Sequence, residues 1–206
     1  MSDISAAGPG QTGAVSGHLL LVRHGETPWS RTGQHTGLTD LELTAEGERQ
    51  AEALRPLVAR FQVSRVLCSP LRRAQQTAAL VGLPGARLED DLQEWHYGKY
   101  EGRTTAEISA ELGRPWNIWS DPVPGGETLA EVARRVGRVV GEVRPLTDTG
   151  ATVAVVSHGH ALRVLATCWL RQPPELGRLL ALSTASLSVL GYEHDWPVVR
   201  AWNQTP

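Results

Sequence analysis

Two runs in this chain, His18-Leu19-Leu20-Leu21-Val22 and Thr152-Val153-Ala154-Val155-Val156-Ser157, are apolar with almost no alternation. A strand with one wet face alternates apolar and polar residues, so these runs fit strands covered on both faces. Arg65-Val66-Leu67-Cys68-Ser69 reads as a third strand of that kind. Helical spacing fills the intervals. Gln50-Ala51, Leu54, Leu57-Val58 and Phe61 share one stripe, with Thr44 placed to cap the start. Leu71 to Val81 is closed by Gly82 and Pro84, and a long stripe from Leu129 to Val143 is expected to stop near Pro145. Ala161 to Leu170 is a further helix, and Ser186–Tyr192 with Val198–Trp202 form an antiparallel edge. Strands alternating with helices predict an α/β fold, a three-layer α/β/α sandwich around a mostly parallel central sheet.

Length and charge narrow the function. The chain has 206 residues with 41% hydrophobic content, enough for one sizeable core, so 18–206 is expected as a single domain. Residues 1–17 are small and polar, lack the pattern of a signal peptide, and read as a flexible tail. A net charge of -2 with mixed signs predicts no general affinity for nucleic acid or for anionic membranes. No apolar run approaches the roughly 20 residues of a membrane span. Cys68 and Cys168 form no CxxC pair and sit in apolar segments, as buried free thiols of a cytoplasmic protein do. An edge strand offers a route to a homodimer, though nothing in the sequence demands one.

In a parallel sheet, ligands bind beyond the carboxyl ends of the strands. The first strand runs into Arg23-His24-Gly25-Glu26-Thr27, the second into Ser69-Pro70-Leu71-Arg72-Arg73, and the third into Ser157-His158-Gly159-His160. Each precedes a helix start, where free N–H groups and the dipole favour an anion. Gly25 and Gly159 leave room for close backbone approach. A single strand-end histidine is usually a structural residue. Cations gathered from three strand ends without partners would destabilise a fold, so they point to a pocket for a dianion such as phosphate.

With a phosphate monoester bound there, Arg23 and Arg73 would grip its oxygens. Burial and their positive field would keep His24 neutral, ready to take the phosphoryl group as a phosphohistidine. His158 suits stabilisation of an equatorial oxygen. The leaving alkoxide also needs a proton, and the glycine- and aromatic-rich segment from Leu92 to Gly102 supplies Glu94 and Glu101. Spacing alone leaves both open.

These residues resemble the histidine phosphatase superfamily, also called phosphoglycerate mutase-like, from Leu19 to about Trp202. The pairing of Arg-His-Gly-Glu at 23–26 with Ser-His-Gly-His at 157–160 is highly specific. The resemblance implies His24 as nucleophile, Arg23, Arg73 and His158 around the phosphate, Glu94 as proton donor, and neither metal nor cofactor. Ser30, Thr36, Gly37, Tyr97 and Gly159 are implied on the substrate side. Ser30 stands where the family usually has Asn, and Thr36 where Gln is frequent; both hydroxyls can still bond a phosphate, with shorter reach. A narrower likeness to sedoheptulose-bisphosphatase-like and broad-specificity acid phosphatases lies in 33–40, 94–102, 114–119 and 126–128. It points to sugar mono- or bisphosphates, with Trp116 and Trp119 either walling the cavity or packing the core.

Three rival readings differ in their demands. A cofactor-dependent phosphoglycerate mutase would carry a longer basic insertion after the acid, and the stretch from Glu94 to His158 is compact. A catalytically silent phosphate-binding module would be expected to lack His24 or Glu94. Metal ligation by His24, His158 and His160 would meet the repulsion of Arg23 and Arg73.

Overall fold

The computed structural model describes residues 17–206. The expected tail lies outside these residues except for Gly17, which is buried and donates its N–H to the Thr147 carbonyl at 2.8 Å. Gly17 is therefore part of the folded body rather than of a tail.

Among the described residues the sheet has six strands, in the order β3-β2-β4-β1-β5-β6. Its centre is β1 (Leu19–Arg23) and β4 (Thr152–Ser157), paired in parallel from Leu19↔Val153 to Arg23↔Ser157. On one side β2 (Val63–Cys68) joins β4, and the short β3 (Arg87–Leu88) joins β2, both in parallel. On the other, β5 (Ser186–Glu193) and β6 (Trp196–Gln204) add the antiparallel edge. The sheet is mixed but mostly parallel, as expected.

Alternate residues of the central strands feed two cores, the consequence of burial on both faces. Leu19, Leu21, Leu67, Val153 and Val155 pack with α5 (Leu129–Asp148) and α6 (Gly159–Trp169). Leu20, Val22, Cys68, Ala154 and Val156 pack with α2 (Ala45–Val58) and α3 (Arg72–Leu80). Helices thus lie on both faces, giving the three layers. Thr44 caps α2 as its position predicts, accepting from Gly47 N–H at 3.0 Å.

The long helix passes Pro145 and ends at Asp148. Pro145 forfeits the bond to the Gly141 carbonyl and its ring crowds that carbonyl, yet the helical backbone runs on to Asp148. Two short helices went unexpected, α1 (Pro28–Thr32) and α4 (Thr105–Leu112), each opened by a capping box. Cys68 is buried, and burial pushes its thiol up to about 12; Cys168 is only half-buried. Among the described residues, no helix is long and apolar enough to cross a membrane.

Candidate active site

The carboxyl ends of β1, β4 and β2 lie level, because Arg23 pairs with Ser157 and Val156 with Cys68. The ladder continues one residue further: His24 N–H donates to Ser157 and Ser69 N–H to Val156. The chain then turns, and each turn delivers a side chain to the same edge.

His24 leaves β1 into a close backbone crossing with α2. A Cβ on Gly25 would lie 2.3 Å from the Gly47 carbonyl oxygen, and one on Gly47 would lie 2.1 Å from that of Glu26. The start of α2 therefore locks the loop that carries His24. The His24 ring is almost wholly buried, and its Nδ1 lies 2.7 Å from the Gly25 carbonyl. A carbonyl only accepts, so Nδ1 carries the proton and Nε2 keeps its lone pair. Burial above all, then Arg73 and Arg23, holds the ring well below its ordinary 6.5, so it is neutral.

A cavity of about 200 Å³ opens beside it. Arg23, His24, Glu94, Tyr97, Gly159, Ser30 and Thr36 line it, together with Gln34, His35, His160 and Arg163. Arg23 gives one Nη1 hydrogen bond to the Leu182 carbonyl, while its Nε is buried with no partner. Gly159 permits this placement, since a Cβ there would crowd the Arg23 guanidinium at 3.3 Å.

Arg73 and His158 are placed differently from expectation. Arg73 is fully buried and offers the cavity no open fork. It donates to the carbonyls of Thr36, Gly37 and Thr39 at 3.2, 2.9 and 2.9 Å, and through Nε to His158 Nδ1 at 3.1 Å. His158 in turn meets Ser69 Oγ through Nε2 at 2.8 Å, so both its nitrogens are engaged. Its ring stands edge-on to His24, 5.1 Å between centroids, and burial followed by Arg73 and His24 keeps it neutral. Arg73 and His158 form a rigid backing behind His24.

Glu94 reaches the cavity from the segment after β3. Its carboxylate accepts from Trp95 N–H at 2.9 Å, and from His160 and Ala161 N–H at the start of α6 at 3.0 and 2.9 Å. Behind it Arg135, nearly buried, ties down the carbonyls of Asp91, Gln93 and Glu94 while pairing with Glu127 at 2.8 Å. Glu101 faces elsewhere: it accepts from Gly37 and Thr39 N–H and lines no part of the cavity. The two candidate acids are thereby separated.

The expected substrate-side residues divide. Tyr97 lines the cavity and meets His160 Nδ1 at 2.7 Å. Ser30 and Thr36 line it too, with hydroxyls already bonded to the Thr27 and Gln34 carbonyls. Gly37 lies behind the wall, its N–H taken by Glu101 and its carbonyl by Arg73, so substrate contact is not where it is placed. Trp116 and Trp119 are buried in the core; they back the wall through His35 and His160 at 5.3 and 5.5 Å between ring centroids. His160 and Arg163 were missed as lining residues. Their spacing of three on one helix, directly after the strand end, was the available signal.

Among the described residues, no group of three or more His, Cys, Asp or Glu side chains is placed to hold a metal ion.

Residues 19–205 match the family model of the histidine phosphatase superfamily (branch 1). An acid phosphatase of Mycobacterium tuberculosis is 40% identical over 184 residues, spanning 88% of this chain and 90% of that protein. Sedoheptulose 1,7-bisphosphatase of Saccharomyces cerevisiae is 37% identical over 185 residues, spanning 76% of this chain and 68% of its own. A solved structure of an open reading frame product from Mycobacterium tuberculosis superposes with a TM-score of 0.87 at 38% identity, covering 92% of this chain and 98% of that one. The chain belongs to the histidine phosphatase superfamily, as a phosphoric monoester hydrolase.

Proposed function

We propose that the protein hydrolyses small phosphate monoesters, sugar mono- or bisphosphates, through a phosphohistidine on His24. One observation carries the reading: the Gly25 carbonyl fixes the Nδ1 proton, leaving an unprotonated Nε2 in a cavity that the Arg23 guanidinium also lines. Nε2 attacks phosphorus, the ester P–O bond breaks, and the leaving alkoxide takes a proton from Glu94. Water then attacks the phosphohistidine and gives its proton back to Glu94, releasing inorganic phosphate and restoring both groups. Arg23, in the cavity wall beside His24, holds the phosphoryl charge.

The cavity supports the substrate class. At about 200 Å³ it suits a small ester, and its walls offer hydroxyl, amide and neutral imidazole groups matched to a polyol. Among the described residues, Arg163 is the one lining cation besides Arg23. Its Nε and Nη2 are held by the Gly177 and Arg178 carbonyls, which leaves Nη1 for a second phosphate. The names of the acid phosphatase and bisphosphatase relatives agree with this range.

The test is labelling with a radioactive phosphate ester, run with phosphoglycerates as alternative substrates. Wild-type protein should form an acid-labile label and release phosphate; His24→Ala should do neither. Label formation in His24→Ala would reject the nucleophile, and isomer exchange outpacing phosphate release would make the protein a mutase.

A further inference from the structure

Glu101 has no part in the chemistry above, yet its surroundings are costly to build. Its Oε1 accepts two backbone N–H groups, from Gly37 at 2.8 Å and Thr39 at 3.1 Å, while Oε2 is buried without a partner. A carboxylate kept only for solubility would leave that oxygen in water. A Cβ on Gly37 would lie 2.6 Å from the Trp95 carbonyl oxygen and 2.7 Å from Oε2, so glycine lets both the backbone and the carboxylate approach.

The far side of the same loop explains the arrangement. The carbonyls of Thr36, Gly37 and Thr39 all turn onto the Arg73 guanidinium. A loop that points several carbonyls one way must point N–H groups another, and these need an acceptor. Glu101 is that acceptor. From it a continuous series of contacts runs through the 36–39 loop to Arg73, from Arg73 Nε to His158 Nδ1, and from His158 Nε2 to Ser69 Oγ. His158 stands against the His24 ring.

We propose that Glu101 is a positioning residue for the phosphate pocket. It holds the loop that places Thr36 in the cavity wall and whose carbonyls orient Arg73, and through Arg73 it fixes the tautomer and the tilt of His158 beside His24. This role rests on the phosphohistidine reading for its catalytic consequence, but not for its effect on phosphate binding. It also assigns different work to the two carboxylates of one segment: Glu94 exchanges a proton with the substrate, and Glu101 never touches it.

Glu101→Ala and Glu101→Gln separate these roles. Glutamine keeps an acceptor oxygen for the two N–H groups; alanine removes it. Binding of inorganic phosphate is measured by calorimetry, and turnover is measured on an aryl and an alkyl phosphate. In Glu101→Ala, phosphate affinity and kcat/KM should fall by about tenfold or more, by the same factor for both esters, and glutamine should recover most of the loss. A loss confined to the alkyl ester and not recovered by glutamine would make Glu101 an acid and overturn the positioning role. Wild-type values for Glu101→Ala would overturn it as well, leaving the phosphohistidine untouched. Weakened phosphate binding in a protein whose wild type turns over neither ester would reject the catalytic reading and keep Glu101 in its place. If the alanine variant does not fold, Glu101→Asp, which withdraws the acceptor by one methylene, should show the same uniform loss; wild-type behaviour there overturns the proposal.

Discussion

The Nε of Arg73 donates to the Nδ1 of His158 across 3.1 Å. Arginine has no acceptor and stays protonated, so Nδ1 must be the bare nitrogen. The His158 proton therefore sits on Nε2 and points at Ser69 Oγ. Two neighbours thus define one tautomer of a histidine that has no contact with water.

Arg73→Lys should expose how much depends on that geometry. An ammonium is a single point with three donors, and it cannot span three loop carbonyls and an imidazole nitrogen. Buried acceptors left unpaired cost about 1–3 kcal/mol each, so a loss of about 2–4 kcal/mol in folding stability is expected, with a raised KM. Urea midpoints and initial rates check both. A lysine variant matching wild type in stability and KM would mean that the charge alone matters.

The pH dependence follows from the buried imidazoles. His24, His158 and His160 are all held well below the ordinary 6.5, chiefly by burial. In the unfolded chain they regain that ordinary value, so below 6.5 the unfolded state binds more protons than the folded one. Their contribution to stability is complete above 6.5 and is lost as pH falls from there towards the lowered folded values. The slope is up to about 1.4 kcal/mol per pH unit for each histidine. Urea midpoints should drop between pH 7 and 5, less steeply in His158→Gln. Because His24 stays neutral through this range, kcat/KM should show no break at 6.5 on its acid side. A break there beyond the one brought by the ester's own second ionisation, at about 6, would mean that His24 titrates normally.

Glu94→Gln should slow turnover in a way that depends on the leaving group. General acid catalysis contributes roughly 10²–10⁴-fold, and an alkoxide needs it far more than a nitrophenolate. Alkyl phosphates should therefore lose rate over that range while aryl phosphates lose much less. Phosphate affinity should change little, since Arg23 remains. Equal losses for both esters would remove Glu94 from the proton transfer.

Parts of this organisation are written locally in the chain and parts are not. β1 and β4 are readable because a strand buried twice has no polar residues to hide it, and the strand-end rule then isolates His24, Arg73 and His158. The inward turn of Arg73 was not readable. Its partners Thr36, Gly37 and Thr39 come from a loop more than thirty positions away, and no local pattern encodes that encounter. Glu94 and Glu101 look alike in sequence, both in a loop rich in glycine and aromatics. What separates them is tertiary: the amides of His160 and Ala161 meet one, and those of Gly37 and Thr39 meet the other. The helix α4 was missed although Thr104 and Glu107 spell its capping box, because only Ile108 among its residues is buried and no apolar stripe marks it.

The crossing of Gly25 and Gly47 couples stability to catalysis at a place where no side chain takes part. Gly47 lies in the first turn of α2, in a conformation open to any residue, so backbone strain does not require glycine there. Contact does. A Cβ would meet the Glu26 carbonyl oxygen at 2.1 Å and the Glu26 nitrogen at 2.7 Å, and neither atom is the movable end of a side chain. Gly47→Ala must push the start of α2 away from the loop that carries His24, at a cost of about 1–3 kcal/mol or more. The displacement acts on the peptide whose carbonyl orients His24, so kcat should fall by more than KM rises. Urea midpoints with steady-state kinetics measure the two effects together. Alanine at 47 with an unchanged midpoint and unchanged kcat would show that the crossing has slack, and that the His24 tautomer is held by the Gly25 carbonyl without help from α2.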